Sequence, residues 1–377
     1  MRRLGIILLV LLVVTAAGFA AWLRSDLRTL YKGYSQDKVF VNIPHGKSRR
    51  AIAALLEQNG VVHSRVTFEL LSRWRELEPL EAGEYLFDRP MTPREVFTMI
   101  ATGRIYVHSI TVPEGWTMFD IADALDREGL CHRNDFLAAV RDPSPVRDIA
   151  PDARSLEGFL FPATYDFTRH TTPQEIVDTM VHRFRTVLAG LPGVSHDAEG
   201  NVTGLPAGFT LKQVVTMASL VERETARPDE RSLVVGVFYN RLQGQRPLQC
   251  DPTVLYALAL AGRPERALSS ADLRINSPYN TYQHAGLPPG PIANPGEGAL
   301  RAALTPSRVP YFYFVATGDG GHAFGRTLAE HNLNVARYRR RLAQEADGST
   351  ADEPQQPAPP APVPPMPVQK KKARKRS

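Results

Sequence analysis

Cysteine is the rarest residue of this 377-residue chain, present only as Cys131 and Cys250. Two cysteines that far apart build neither a zinc cluster nor a disulfide framework, and the sequence leaves open whether they pair or stay as separate thiols. Several signatures are missing altogether: no C-x-x-C, no G-x-S-x-G elbow, no G-x-x-x-x-G-K-[ST] loop, no G-x-G-x-x-G and no H-E-x-x-H. No metal, nucleotide or other cofactor is therefore expected. His322 and His331 lie near Asp319, but histidines satisfied at a loop or helix end explain that trio without an ion. Long apolar runs are also scarce, which excludes a polytopic membrane protein. With 43% hydrophobic and 22% charged residues the body must form a soluble core.

Charge of one sign is absent from most of the chain. The net charge is +6, and the six basic residues Lys370, Lys371, Lys372, Arg374, Lys375 and Arg376 equal that excess. The rest is neutral, so a body-wide groove for nucleic acid loses its support. The basic run follows a stretch with eight prolines between Pro354 and Pro367. Residues 346–377 are expected to be a disordered, Pro-rich basic tail, attracted to anionic polymers or headgroups by a salt-sensitive force.

The single long apolar run is Leu4 to Leu23, long enough to cross about 30 Å of hydrocarbon as one helix. A cleaved signal peptide is the competing reading, because Gly18-Phe19-Ala20 resembles a cleavage site. Apolarity continuing through Trp22 and Leu23 favours a membrane anchor. Arg2 and Arg3 precede the run while Arg24, Arg28, Lys32 and Lys38 follow it, so lysine and arginine counts do not fix its orientation.

An internal echo follows. Val41 to Gly46 precedes an amphipathic stretch at Ile52 to Leu56 that stops at Gly60. Ile110 to Gly115 precedes Ile121 to Leu125, which stops at Gly129, a constant offset of 69 residues. Each copy reads as strand, Pro-x-Gly turn, helix and glycine cap. Gly83 to Phe87 reads as a strand. Thr92-Pro93-Arg94-Glu95 is a capping box with proline at the first helical position, and Thr172-Pro173-Gln174-Glu175 repeats it. Residues 39–145 are expected to be a small α+β module, serving either as a structural or dimerisation spacer or as a carbohydrate-binding unit.

A second α+β region is expected over 146–345. On the helix that opens at Leu211, Val214 or Val215 and Ala218 form an apolar stripe whose next member is Glu222. An acid there is either a salt-bridged structural residue, with Arg223 or Arg231 as partner, or a desolvated carboxyl that keeps its proton near neutrality and serves as a general acid. Glu224, about 200° further round the helix, is expected to be an ordinary surface acid. Glu157 beside Phe159 and Phe161, Gln249 and Asp251, and Asn280 with Tyr282 supply amides, acids and rings. Such groups suit a groove that hydrogen-bonds sugar hydroxyls and packs on sugar C–H faces.

Taken in order, the runs Leu156 to Pro162, Met217 to Thr225, Val237 to Leu242, Leu248 to Thr253, Tyr279 to Tyr282, Gly286 to Gly290, Tyr313 to Val315 and Gly321 to Phe324 resemble the motifs of the endolytic murein transglycosylase, or YceG-like, family. The resemblance implies a cytoplasmic N-terminus at 1–3, a single transmembrane helix at 4–23, a linker at 24–38, a LysM-like module at 39–145 and a catalytic domain at 146–345. It also implies a single-pass protein of the cell inner membrane whose catalytic domain lies outside the cytoplasm. The implied substrate is nascent peptidoglycan, with peptidoglycan synthases among the implied partners. The family's catalytic glutamate falls on Glu222, and Glu157, Gln249, Asp251, Asn280 and Tyr282 are expected to bind glycan or to orient the acid. Cys250 stands where the family has a small polar residue such as threonine. The alternatives are a membrane-anchored, non-catalytic glycan-binding scaffold and a hydrolytic muramidase.

Overall fold

A computed structural model describes residues 2–75, 78–263 and 267–348. The chain divides into two compact units, residues 1–312 and residues from Tyr313 onward. The expected basic tail lies outside the described residues from 349 on; before that the chain is helical through Gly348. The architecture is mixed α+β.

Helix α1 (Arg2–Asp26) carries the apolar run, and its stretch Ile6–Asp26 is long and apolar enough to cross a membrane. Its N-terminal part is exposed, but Leu23 and Leu27, one helical turn apart, are 6% and 5% exposed in a protein core. That core is built by β1 (Val39–Ile43), α2 (Arg49–Gln58), α3 (Arg65–Trp74), β2 (Gly83–Phe87) and α4 (Pro93–Ala101), with Leu56, Phe68, Tyr85 and Phe97 at its centre. Strands β1 and β2 pair antiparallel, Val41 opposite Tyr85. Tyr31 and Met91 exchange two backbone hydrogen bonds of 3.1 Å. The expected linker is thus attached to this core at Leu27 and at Tyr31.

The second copy of the echo forms β3 (His108–Thr111) and α5 (Met118–Arg127), followed by α6 (Arg133–Val140). Both copies stop as the sequence pattern implies. Gly60 and Gly129 take φ of 69° and 65°, a left-handed conformation that a Cβ disfavours. Their strands find different partners. β3 pairs antiparallel with β4 (Thr164–Phe167), Ile110 opposite Tyr165, so hydrogen bonding runs across the expected boundary at 145/146. The backbone groups of β3 need a partner strand, and the segment that follows Pro162 supplies it.

Helix α7 (Pro173–Gly190) opens with its expected capping box, as does α4. A short hairpin of β5 (Ser195–His196) and β6 (Val202–Thr203) precedes α8 (Leu211–Glu224), which is capped by Thr210 and Gln213. Every residue of α8 from Val214 to Val221 is buried, so it is a central helix, not a one-faced one. It packs against α9 (Arg231–Gln243), α10 (Asp251–Leu260) and α11 (Glu297–Leu304). The second unit holds the antiparallel pair β7 (Tyr313–Ala316) and β8 (His322–Gly325) and helix α12 (Leu328–Gly348). Within it Asp319 accepts from Gly321 N and closes the turn, and His331 stacks on Tyr313 with ring centroids 5.2 Å apart.

Because Leu27 is buried, a chain beginning at Val39 loses core that a chain beginning at Arg24 keeps. Urea unfolding of the two is expected to show the shorter one less stable by about 2 kcal/mol or more; equal midpoints would mean that residues 24–38 do not contribute.

Candidate active site

Glu222 ends the buried run of α8 with its side chain only 6% exposed. Both carboxyl oxygens are engaged. Oε1 accepts from Arg231 Nη2 at 3.2 Å, and Oε2 accepts from the backbone N–H of Gly296 at 3.0 Å. Gly296 is the N-cap of α11, so the carboxyl also lies at the positive end of that helix. Burial pushes the Glu222 carboxyl above its ordinary value, opposed by the Gly296 amide and the Arg231 charge and assisted by the Glu114 carboxylate. Of the two explanations open from sequence, the ion pair with Arg231 is present, and the net upward shift runs in the direction that the second needs.

The Gly296 amide is placed by Asn294, a fully buried side chain. Asn294 Oδ1 accepts from Gly158 N at 2.9 Å and Leu160 N at 3.0 Å, while its Nδ2 donates to Trp116 O at 3.0 Å and Glu157 Oε1 at 2.8 Å. Backbone bonds run both ways between this loop and the turn of the second echo copy: Gly115 N donates to Asn294 O, and Asn294 N donates to Trp116 O. One amide thus joins the 157–160 loop, the Pro113-Glu114-Gly115-Trp116 turn and the loop that carries Gly296. The sequence reading passed over Asn294-Pro295-Gly296, a turn-forming string four residues beyond the Gly286 to Gly290 run.

Glu157 was expected to bind glycan or to orient the acid, and its burial corrects the first of these. It is 1% exposed and accepts from Met118 N at 3.1 and 3.0 Å as well as from Asn294. Removal from water outweighs those donors and pushes it up to about 8. It is an internal clamp. Asn280 is corrected likewise: fully buried, it donates to Leu273 O and Ile275 O and accepts from Tyr282 N.

Gln249, Asp251 and Tyr282 are brought together, beside Glu224 and not at Glu222. Tyr282 Oη donates to Asp251 Oδ1 at 2.5 Å, Arg241 Nη1 donates to Gln249 Oε1 at 3.2 Å, and Gln249 N donates to Thr281 O at 3.1 Å. Cys250, the departure from the family pattern, is buried and its thiol donates to Glu224 Oε2 at 3.3 Å. Glu224 is therefore half-buried and engaged, not the ordinary surface acid expected. Cys131 and Cys250 are both free thiols.

A cavity of about 420 Å³ is lined by Arg223, the residue after Glu222, and by Thr117, Phe119, Arg133, Leu255 and Tyr256. Arg223 donates to Gly115 O at 3.3 Å and so forms the cavity wall beside the acid. A shallower groove bordered by Trp116 and Asp123 adjoins it. Rings, guanidinium groups and acids converge there, a lining that suits a carbohydrate.

Comparison with known proteins decides the lineage. Residues 41–337 match the YceG-like family. The chain belongs to that family. An endolytic murein transglycosylase of Bacillus subtilis is 34% identical over 320 residues, 81% of this chain and 86% of the relative. One from Streptococcus pneumoniae is 30% identical over 334 residues, and there the match spans only 59% of the relative's length. The crystal structure of a yceG-like protein from Listeria monocytogenes superposes with a TM-score of 0.50 at 31% identity, covering 79% of this chain and 99% of that one.

Glu157 generates a pH test. The folded chain holds its proton where the unfolded chain has released it, so stability falls as pH rises from 4.5 towards about 8 and carries no such penalty below 4.5. Glu157→Gln is expected to flatten that part of the slope in urea unfolding across this window, and an unchanged slope would contradict it. Glu157→Ala, which strands the Met118 and Asn294 donors, is expected to cost about 2–4 kcal/mol.

Proposed function

We propose that this protein is an endolytic murein transglycosylase that cleaves the β-1,4 bond between N-acetylmuramic acid and N-acetylglucosamine in nascent peptidoglycan, leaving 1,6-anhydromuramyl ends and so terminating strand growth. The observation that carries the proposal is Glu222: a carboxyl withdrawn from water and held by the Gly296 amide, on a helix whose next residue, Arg223, lines the 420 Å³ cavity. The curated relatives named for this activity support it.

In the reaction, protonated Glu222 gives its proton to the glycosidic oxygen as the C1–O bond breaks, releasing the N-acetylglucosamine hydroxyl. The resulting Glu222 carboxylate takes the proton of the muramyl C6 hydroxyl, whose oxygen closes on C1. The substrate supplies its own nucleophile, water stays out, and Glu222 ends protonated as it began. Arg231 and the Gly296 amide suit this cycle, because both stabilise the carboxylate formed midway. Phe119 offers a face for a sugar ring, with Arg223 and Arg133 available to hydroxyls or carboxylates. Gln249, Asp251 and Tyr282 form a second polar patch for the strand, positioned through Asn280.

The placement follows the same line. Helix α1 anchors the chain in the cytoplasmic membrane as a single pass, with the catalytic region outside the cytoplasm. The LysM-like part of the chain grips glycan. Leu23 and Leu27, shared between helix and core, hold the enzyme close to the bilayer, where strands emerge from peptidoglycan synthases.

Mass spectrometry of glycan strands digested by the full-length protein in detergent is expected to show anhydromuramyl ends, and Glu222→Gln is expected to lower their formation by at least about a thousandfold. Reducing ends would mean hydrolysis, and an active Glu222→Gln variant would remove Glu222 from the chemistry.

A further inference from the structure

Arg231 is not Glu222's alone. The same nitrogen, Nη2, that lies 3.2 Å from Glu222 Oε1 lies 3.5 Å from Glu114 Oε2. Glu114 comes from the Pro-x-Gly turn of the second echo copy, 108 residues before Glu222 in the chain, and its side chain is 49% exposed. Room for the arrangement is made by two glycines at the start of α11: a Cβ on Gly296 would collide with the Glu114 carboxylate, and one on Gly298 with Arg231 Nη1. Arg231 Nε is buried without a hydrogen bond, so the guanidinium divides its charge between these two carboxyls.

We propose that Glu114 is a positioning residue for the reaction: by sharing the Arg231 guanidinium it keeps that charge from fixing Glu222 as a carboxylate, so Glu222 enters the cycle carrying its proton. Two carboxylates around one guanidinium leave the trio one negative charge in excess. The buried member is the one that keeps a proton, because Glu114 has water and Glu222 has little. The other charged groups near Glu222 have partners of their own. On α8, Arg223 donates to Gly115 O and Glu224 receives the Cys250 thiol. Next to α9, Glu230 lies 3.7 Å from Arg227. On α11, Glu297 pairs with Arg301 at 2.5 Å. At the start of α10, Asp251 receives Tyr282, and behind the site Glu157 is closed off by Met118 and Asn294. Glu114 is therefore the acid placed to act on Glu222 through Arg231.

This inference rests on Glu222 being the general acid, and the test separates the two. The pH profile of kcat/KM for anhydromuramyl product formation is measured for the full-length protein, Glu114→Gln and Arg231→Gln, with Glu222→Gln as reference. The alkaline limb reports the acid that must be protonated in the free enzyme. In Glu114→Gln, Arg231 is left to Glu222 alone, and the limb is expected to move to lower pH by about one unit, an approximately tenfold loss on the alkaline side, with the acid-side plateau kept. In Arg231→Gln the limb is expected to move the other way. Either limb unmoved, or a uniform loss at every pH in Glu114→Gln, would overturn the role of Glu114 while leaving Glu222 as the acid. Turnover by Glu222→Gln would instead overturn the reading on which it rests.

Discussion

The structure depends on keeping one carboxyl out of water at the end of a helix that is buried on every side. Removing a carboxylate from water is costly, and the protein meets that cost in two ways. It offers the charged form one backbone amide, from Gly296, and half of one guanidinium, from Arg231. Among the described residues it offers no further hydrogen bond, and burial outweighs these two, so the carboxyl lies above its ordinary value. A third donor would make Glu222 an ordinary buried ion pair, and an empty pocket would leave nothing to stabilise the carboxylate midway through the reaction.

That balance is why distant segments are tied so tightly. Asn294 uses four hydrogen bonds of its side chain to fix three loops, and Glu157 closes the far side of the same knot. The second copy of the echo takes part through its turn, which supplies Gly115, Trp116 and the Glu114 carboxylate. The first copy is used differently, since its core takes in Leu23 and Leu27 at the end of the apolar helix. Two similar sequence units thus serve different ends, because each strand pairs with a different later segment, β1 with β2 and β3 with β4.

The parts of this that could be read from sequence are local. The capping boxes at Thr92 and Thr172 formed as expected because a few adjacent residues define them. Gly83 to Phe87 is the strand β2, and the glycines at 60 and 129 end their helices. Glu222 stood out because an acid replaced the next apolar member of a stripe. The stripe itself understated the burial of α8: Thr216 and Ser219 look like a polar face, yet their hydroxyls bond back to Lys212 O and Thr216 O of their own helix and go inside. Glu157 and Asn280 misled for the opposite reason, since polar side chains were taken to face sugar when they serve backbone groups. Arg231 was legible as a partner for Glu222, but Glu114 and Asn294 reach the site only across long sequence separations, which no local pattern encodes.

The central claim is that burial holds the Glu222 carboxyl above the ordinary glutamate value in the resting enzyme, despite the Arg231 charge. Carboxyl carbon NMR of full-length protein labelled at glutamate, with the signal assigned by its loss in Glu222→Gln, follows that group directly through a pH titration. The midpoint expected for Glu222 lies above 4.5, the ordinary value for glutamate. A midpoint at or below it would show that Arg231 holds Glu222 as a fixed carboxylate, and the general acid would have to be sought elsewhere.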